Sequence, residues 1–199
     1  VELLRFSAEG SVPSRVVLSA AVIGALIGAV SLTGSIIAWA KLDGVLDKRF
    51  TFPGQQYINL LVFLAAALAG AYLFLGLDVR VIIAFFVLAL LFGVMMTLPI
   101  GGADMPVVIS LFNAFTGLAV AFEGFVLQNE ALIIAGMVVG AAGMLLTQLM
   151  AKAMNRPISG VLFSNFGGGG SGEAITGAQK PIEASDAASL LYMAEKVII

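Results

Sequence analysis

Uncharged apolar runs recur along the chain and alternate with short polar stretches. The runs cover residues 16–40, 58–77, 81–100, 105–122 and 131–151. Each is close to the roughly 20 residues that cross about 30 Å of hydrocarbon as an α-helix. None shows the two-residue alternation of barrel strands, and hydrocarbon offers no partner to bare backbone groups, so each run is predicted to be helical. The pattern predicts an all-α integral membrane protein, a bundle of about five transmembrane helices.

The stretches outside the runs divide the chain further. They predict a leader or loop at 1–15, the transmembrane domain at 16–156, a glycine-rich linker at 157–181 and the beginning of a truncated α/β domain at 182–199. The linker is flexible and polar, as in FGGGGSGEAITGAQKP at 166–181. Its GGGGSG fits the GxGxxG pattern but follows a membrane helix and not a strand, which favours a linker over a phosphate loop. After it, Ser185 or Asp186 can begin a short helix that leads into an apolar strand at 197–199.

Composition supports the membrane assignment and limits the chemistry. Hydrophobic residues make up 60% of the chain, charged residues 11%, and the mean hydropathy is +1.08, whereas about a quarter of an average soluble domain is charged. The chain has no cysteine, which excludes disulfides and thiolate metal sites, and no histidine. A proton path must therefore use Asp, Glu, Asn, Ser, Thr, Tyr, water or a group from outside the chain. We expect no metal, and no nucleic acid among the partners.

Lysine and arginine are distributed unevenly between the two sides of the predicted bundle. One side carries Lys41, Lys48, Arg49, Lys152, Arg156 and Lys180, and the other carries Arg5, Arg15 and Arg80. Because positive residues are enriched in cytoplasmic loops, this count predicts a cytoplasmic C-terminus, or a matrix one in a mitochondrion. The turn at 101–104 is predicted to lie on that same side.

Stripes of small residues indicate which helix faces are buried, because helices in lipid associate through close backbone approach. The first run has Gly24 and Gly28, and the fifth has Gly136, Gly140 and Gly143. In the fourth run the stripe contains Ser110, Asn113, Thr116, Gly117 and Ala121. We predict that the first, fourth and fifth runs form the inner bundle and that the third, which is bulky all round, faces lipid.

Asn113 is a polar residue deep in an apolar run. It lies nine residues after Asp104, about 13 Å along a helix, and so near the bilayer midplane. An unpaired amide there costs several kcal/mol, so it must meet water or a partner. One interpretation is an interhelical hydrogen bond that only holds the bundle together, and the other is an aqueous or proton path.

Asp104 also allows two interpretations, which do not exclude each other. It precedes Met105 and Pro106, so it can be the N-cap of the fourth helix, with Gly101 and Gly102 allowing a tight turn before it. It can also pair with Arg156, because both residues are predicted at the same membrane surface.

Several segments resemble one known family. They are LLFGVMMTLPIGGADMPVVISLFNAFTGLAVAFEGF at 90–125, GMVVGAAGMLLTQLMAKAMNR at 136–156, SLTGSIIAWAKLDG at 31–44 and FPGQ at 52–55. Together they resemble the membrane domain of the beta subunit of the proton-translocating nicotinamide nucleotide transhydrogenase, over nearly the whole chain. GGADMPV with a downstream Asn and KAMNR is a specific combination.

The resemblance implies an oxidoreductase that couples hydride transfer between NAD(H) and NADP(H) to proton movement across the membrane. It implies that Asn113, with Ser110 and Thr116, belongs to the proton path, and that Asp104, Arg156, Gly101 and Gly102 face the NADP(H) domain. The glycines of the last helix would pack close to that path. The implied partners are lipid, the alpha subunit and the rest of the beta subunit, in a dimer of alpha-beta units. The implied location is a bacterial cytoplasmic (inner) or mitochondrial inner membrane.

The resemblance also implies that this chain is a fragment. The family's beta subunit has earlier membrane helices, one of them with a histidine central to proton transfer, and an NADP(H)-binding domain that continues past Ile199. We therefore expect the chain alone to bind neither NAD(H) nor NADP(H) and to carry no catalytic residue for hydride transfer.

Two other classes of function fit five helices with a midplane polar group. A secondary transporter or cation channel subunit predicts inverted repeats or broken helices. A purely structural membrane scaffold makes Asn113 an interhelical contact only. The sequence on either side of this chain discriminates between these classes, since a histidine-bearing helix before it and a dinucleotide-binding domain after it indicate a transhydrogenase.

Overall fold

The computed structural model describes residues 2–9, 13–46, 50–52 and 54–163, and positions 185, 188, 192 and 193. The chain divides into two compact units, Val1–Gly168 and Gly169–Ile199. Most of the predicted linker, at 164–181, and the predicted strand at 197–199 lie outside the described residues. In the second unit the described positions 185, 188, 192 and 193 are helical, within the short helix predicted there.

The described part of the first unit is built from helices. They are α1 (Glu2–Glu9), α2 (Arg15–Leu42), α3 (Gln55–Tyr72), α4 (Val79–Thr97), a 3-10 helix (Gly102–Asp104), α5 (Met105–Val126), α6 (Glu130–Ala153) and α7 (Ile158–Phe163). Within the described residues, α2 to α6 are the helices long and apolar enough to cross a membrane. This confirms the predicted all-α membrane class and the five spans.

The helix ends follow local signals that the apolar runs do not contain. Gly54, with φ +83°, is the N-cap of α3. The helix begins at Gln55, three residues before the predicted run, and ends at Tyr72 instead of 77. Ser14, Asp78 and Asn129 cap α2, α4 and α6 by accepting a backbone N–H with the side chain. Neither α1 nor α7 was predicted as a helix, because both are too short to register as membrane spans.

The spanning helices pack side by side in a row. α2 contacts α4 and α5, α5 also contacts α6, and α4 also contacts α3. The order along the row is therefore α3, α4, α2, α5, α6. α2 and α5 run antiparallel, since Gly24 lies against Phe122 and Gly34 against Phe112.

This order corrects the predicted inner bundle. α2 and α5 do lie inside the row, as predicted, but α6 lies at its end. α4, which was predicted to face lipid, lies between α3 and α2, although most of its surface is not buried, as for α6. The buried stripe of α4 is Ile82, Phe85, Ala89, Gly93 and Thr97. A Cβ on Gly93 would lie 2.6 Å from Val30 O, so the absent side chain lets α4 approach α2. Bulk around a helix hides such a contact because apolar side chains suit lipid and helix neighbours equally well.

One end of the row gathers the described hydrogen bonds and ion pair of buried charged and amide side chains. α2, α4 and α6 end there, and α3 and α5 begin there, so that Lys41, Gln55, Asp104 and Arg156 all lie at it. We call it the polar end. At the opposite end α1 packs on the bundle through buried Leu3, and the Ser7 hydroxyl donates to Leu77 O at 2.7 Å.

Candidate functional site

Asp104 and Arg156 form an ion pair at the polar end. Arg156 Nη1 lies 2.7 Å from Asp104 Oδ2, and the side chains are 54% and 8% exposed. Asp104 occupies the N-cap position of α5, but its carboxylate makes no capping hydrogen bond. Of the two interpretations of Asp104, the structure therefore contains the pair and lacks the side-chain cap.

A turn after α6 directs Arg156 toward that pair. Asn155 has φ +51°, in the left-handed region, and the Arg156 N–H donates to Ala151 O at 3.0 Å. A left-handed residue followed by such a backward hydrogen bond is a common way for a helix to end, and Asn adopts it more readily than most residues. The Asn of KAMNR, just before Pro157, was a signal for this turn that the sequence analysis did not use.

Gly101 and Gly102 precede Asp104 without left-handed backbone. Gly101 is extended, with φ −74° and ψ 154°, and its carbonyl accepts the Asp104 N–H. Gly102 begins the 3-10 helix and is exposed, and a Cβ added to it would have no atom within 4 Å. The expected tight turn is therefore a 3-10 turn, and side-chain crowding does not require glycine at 102.

Lys41 is a buried cation at the polar end that the sequence analysis counted only as a loop charge. It is 7% exposed. Its Nζ donates to Thr97 O at 3.3 Å, to Leu98 O, and to Ile100 O at 2.7 Å. The last carbonyls of α4 have no partner within the helix, so a cation suits them both as a donor and as a charge at a helix C-terminus.

Two buried amides of α3 hold the other side of the same helix end. Gln55 Nε2 and Asn59 Nδ2 donate to Met95 O at 3.5 and 3.4 Å. Asn59 Oδ1 is buried and has no hydrogen-bond partner in the described part of the chain. The polar groups around 95–100 thus come from α2 and α3, the neighbours of α4 in the row.

Asn113 lies on an exposed face of α5, together with Ile109 and Thr116. Its side chain makes no hydrogen bond within the described residues, so it does not join two helices of this chain. The predicted stripe on α5 therefore divides: Ser110 and Gly117 are buried, whereas Asn113 and Thr116 are exposed. The reason is that residues three apart drift by about 60° around a helix, so Ser110, Asn113 and Thr116 point in successively different directions.

Ser110 and Thr116 belong to separate hydrogen-bond groups on either side of Asn113. Toward α6, the Ser110 hydroxyl donates to Gly143 O at 3.4 Å and accepts from Thr147 Oγ1 at 3.1 Å. Toward α2, Thr116 Oγ1 donates to Phe112 O at 2.8 Å and lies 3.3 Å from Ser31 Oγ. Neither group includes Asn113, so the structure brings these three residues onto neighbouring turns but not into one network.

The predicted packing glycines lie at helix contacts. A Cβ on Gly136 would lie 2.4 Å from Ala121 N, and one on Gly143 2.8 Å from Ala114 Cα. Gly140 has ordinary room, 3.5 Å to the nearest atoms. In α2, a Cβ on Gly24 would lie 2.9 Å from Phe122 Cβ, and one on Gly28 3.6 Å from Ala119 Cβ. α5 and α6 therefore meet nearly backbone to backbone.

Comparison with known proteins gives matches over almost the whole chain. The family described as NAD(P) transhydrogenase beta subunit matches residues 2–199. The NAD(P) transhydrogenase subunit beta of Rhodospirillum rubrum is 40% identical over 183 residues, which cover 89% of this chain and 39% of that protein. The protein of the same name from a designated strain of that species gives the same values. The chain thus spans about two fifths of the length of these curated relatives.

Proposed function

Because the chain belongs to the family of the NAD(P) transhydrogenase beta subunit, we propose that it forms part of the proton path of a transhydrogenase. This oxidoreductase couples hydride transfer between NAD(H) and NADP(H) to proton movement across the membrane. Both nucleotides are held by parts of the complex outside the described helices. The partners are the alpha subunit and the rest of the beta subunit, in a dimer of alpha-beta units.

The exposed amide of Asn113 is the observation that carries this proposal. It lies in the middle of a spanning helix, and the described part of the chain leaves it without a hydrogen bond. An amide that faced acyl chains would cost several kcal/mol. A neighbouring helix of the complex, or water held by one, must therefore cover it, and a polar group at a wet intramembrane interface can relay a proton. Ser110 and Thr116 supply hydroxyls one turn to either side.

The ion pair at the polar end supports the coupling part of the proposal. Asp104 is at the first turn of the helix that carries Asn113, and Arg156 follows the helix that packs against it. α5 thus connects the surroundings of Asn113 to the 101–104 turn. A group near Asn113 that gains or loses a proton can therefore shift that turn through this one helix. The pair and Gly101–Gly102 then face the NADP(H) domain, and their contacts differ between two states of the enzyme.

The proposed orientation places the polar end in the cytoplasm of a bacterium, or in the matrix of a mitochondrion. Lys41, Lys152 and Arg156 are at this end, against Arg5, Arg15 and Arg80 at the other. Lys48, Arg49 and Lys180, which were also part of the count, lie outside the described residues. Counted along the sequence, with these three included, six cations on this side against three on the other favour this orientation.

The alternative classes have less support. A secondary transporter with a midplane site predicts broken helices, whereas each of the described spans α2 to α6 is continuous between its ends. A scaffold in which Asn113 joins helices predicts a hydrogen bond from that amide to another helix. None is present within the described residues.

The proposal is tested by Asn113→Leu in the intact enzyme, with proton pumping and hydride transfer measured together. We expect pumping to be lost and hydride transfer linked to it to slow by at least about tenfold, because leucine leaves the water or partner group that covers the amide without its hydrogen bond. Gln148→Leu is the matched control, since Gln148 is an exposed amide on α6 with no assigned role. Unchanged pumping in Asn113→Leu would remove Asn113 from the mechanism.

A further inference from the structure

The connection between α4 and α5 depends on a side chain from a third helix. Residues 98–101 link Thr97, the last residue of α4, to the 3-10 helix that ends at Asp104. Lys41 of α2 donates to carbonyls on both sides of Pro99, at Leu98 and Ile100. We propose that Lys41 is a positioning residue that fixes this connection and thereby sets Asp104 against Arg156; its part in proton coupling rests on the proposed function.

The environment of Lys41 makes this hydrogen bonding hard to replace. A buried ammonium loses its hydration and needs acceptors from the protein. The carbonyls at 97, 98 and 100 supply them. Thr97 O also accepts the Ile100 N–H at 3.2 Å, whereas Leu98 O and Ile100 O, which follow the end of α4, accept no backbone N–H among the described contacts. If the Nζ is removed, these carbonyls lose their hydrogen bonds from Lys41. We then expect the connection at 98–101 to become mobile.

The side-chain amides of α3 hold the last turn of α4, just before this connection. Any motion that follows the loss of Lys41 must therefore begin after that turn. Gln55 and Asn59 both donate to Met95 O. With Met95 held from α3, removal of Lys41 frees only the residues that follow, and Gly101 and Gly102 offer little resistance there. Asp104 is four residues past Ile100, so its carboxylate shifts relative to Arg156.

α2 also reaches α5 beside Asn113, which links the two parts of the proposed site. The Ser31 hydroxyl donates to Phe112 O at 2.9 Å, and Phe112 precedes Asn113. α2 is one continuous helix from Arg15 to Leu42. Through Lys41, α2 holds the connection that leads into α5. Through Ser31, the same helix contacts the middle of α5. A single continuous helix therefore fixes the position of both parts of the proposed site.

The test measures the mobility of the 101–104 turn in the complete enzyme. A spin label is attached at Gly102→Cys, where an added side chain meets no atom within 4 Å, and at Gly76→Cys, which has the same free space at the opposite end. This chain has no other cysteine, and cysteines elsewhere in the complex are replaced. In Lys41→Met we expect the mobile fraction of the label at 102 to rise roughly tenfold and that at 76 to stay the same.

Companion variants separate positioning from general stability. Lys41→Arg keeps a permanent charge and several donors, so we expect the label at 102 to remain close to its original mobility. Leu42→Met, at an exposed neighbouring residue, should change neither label. If Lys41→Met does not assemble, Lys41→Gln, which keeps a neutral donor, is compared in the same way, with a smaller rise expected at 102 alone.

The outcomes distinguish this proposal from the proposed function. A label at 102 that stays immobile in Lys41→Met, or in Lys41→Gln where that variant replaces it, contradicts the positioning role, and so does an equal rise at 76. A rise at 102 alone, with a lower ratio of protons pumped to hydrides transferred, supports both proposals. A rise at 102 alone with an unchanged ratio supports the positioning role and removes the 101–104 turn from coupling.

Discussion

Two faces of α5 differ in whether their polar side chains form hydrogen bonds with another helix. Toward α6 the helix is closed: Gly117 lies against the backbone of Gly140, and the Ser110 hydroxyl is bonded to Gly143 and Thr147. On the face with Asn113 the helix is open, and the amide makes no hydrogen bond within the described residues. Polar side chains at a helix–helix contact in lipid form hydrogen bonds with the neighbouring helix. The amide of Asn113 forms none within the described residues, so we propose it as the group that takes part in proton transfer.

The start of α5 is intermediate between the closed face and the open face. The Asp104 side chain is buried there, whereas its partner Arg156 is half exposed. Asp104→Arg should have the largest effect on the enzyme, since it sets two cations against each other. We expect a loss near the lower end of the about 3–5 kcal/mol that breaking a buried pair costs, because Arg156 is 54% exposed. Coupled proton pumping and thermal stability measure it.

The double variant Asp104→Arg with Arg156→Asp is the control for that prediction. It restores an opposite pair at the same two positions, so it should recover more activity than either single reversal. A double variant no better than the singles would show that the two residues do not act as a pair.

The closed face predicts a sharp difference between two neighbouring glycines. A Cβ on Gly117 would lie 2.4 Å from Gly140 N, whereas one on Gly140 would have 3.5 Å to its nearest atoms. Gly117→Ala should therefore force α5 and α6 apart and destabilise the protein by about 1–3 kcal/mol. Gly140→Ala is the matched control and should change stability by less than about 0.5 kcal/mol. Equal thermal shifts in the two variants would contradict the backbone-to-backbone contact.

Ser110→Ala should have the smallest effect. Its hydroxyl is bonded across to α6, and such bonds in membranes contribute about 0.6 kcal/mol on average. We expect a stability loss of that order and a smaller change in coupling than for Asn113→Leu. Thermal unfolding and the proton-to-hydride ratio measure the two quantities. A loss of pumping as large as that of Asn113→Leu would show that the proton path depends on Ser110 as much as on Asn113.

The five spans were predictable because hydrocarbon thickness fixes the length of a spanning helix. The row order was not predictable, since the apolar side chains of α4 suit lipid or a neighbouring helix equally well. In the structure α4 meets α2 at Gly93, which has no side chain to keep the helices apart. α1 and α7 were missed because neither is long enough to span.

The candidate site was predictable in part for a similar reason. Short connections place Asp104 and Arg156 at one membrane surface, and the ion pair joins them there. The role of Lys41 was hidden because counting cations by side treats each as solvated. The acceptors that α4 and the connection after it offer to Lys41 are backbone carbonyls. Every residue has one, so they leave no mark in the sequence.

The most direct measurement is thiol labelling of Asn113→Cys in the intact enzyme with a membrane-impermeant reagent. Leu64→Cys is the comparison, because Leu64 is an exposed apolar residue about as far into α3 as Asn113 is into α5. The account predicts that position 113 reacts and that position 64 does not, since water reaches only the open face of α5. A position 113 as unreactive as position 64 would contradict it.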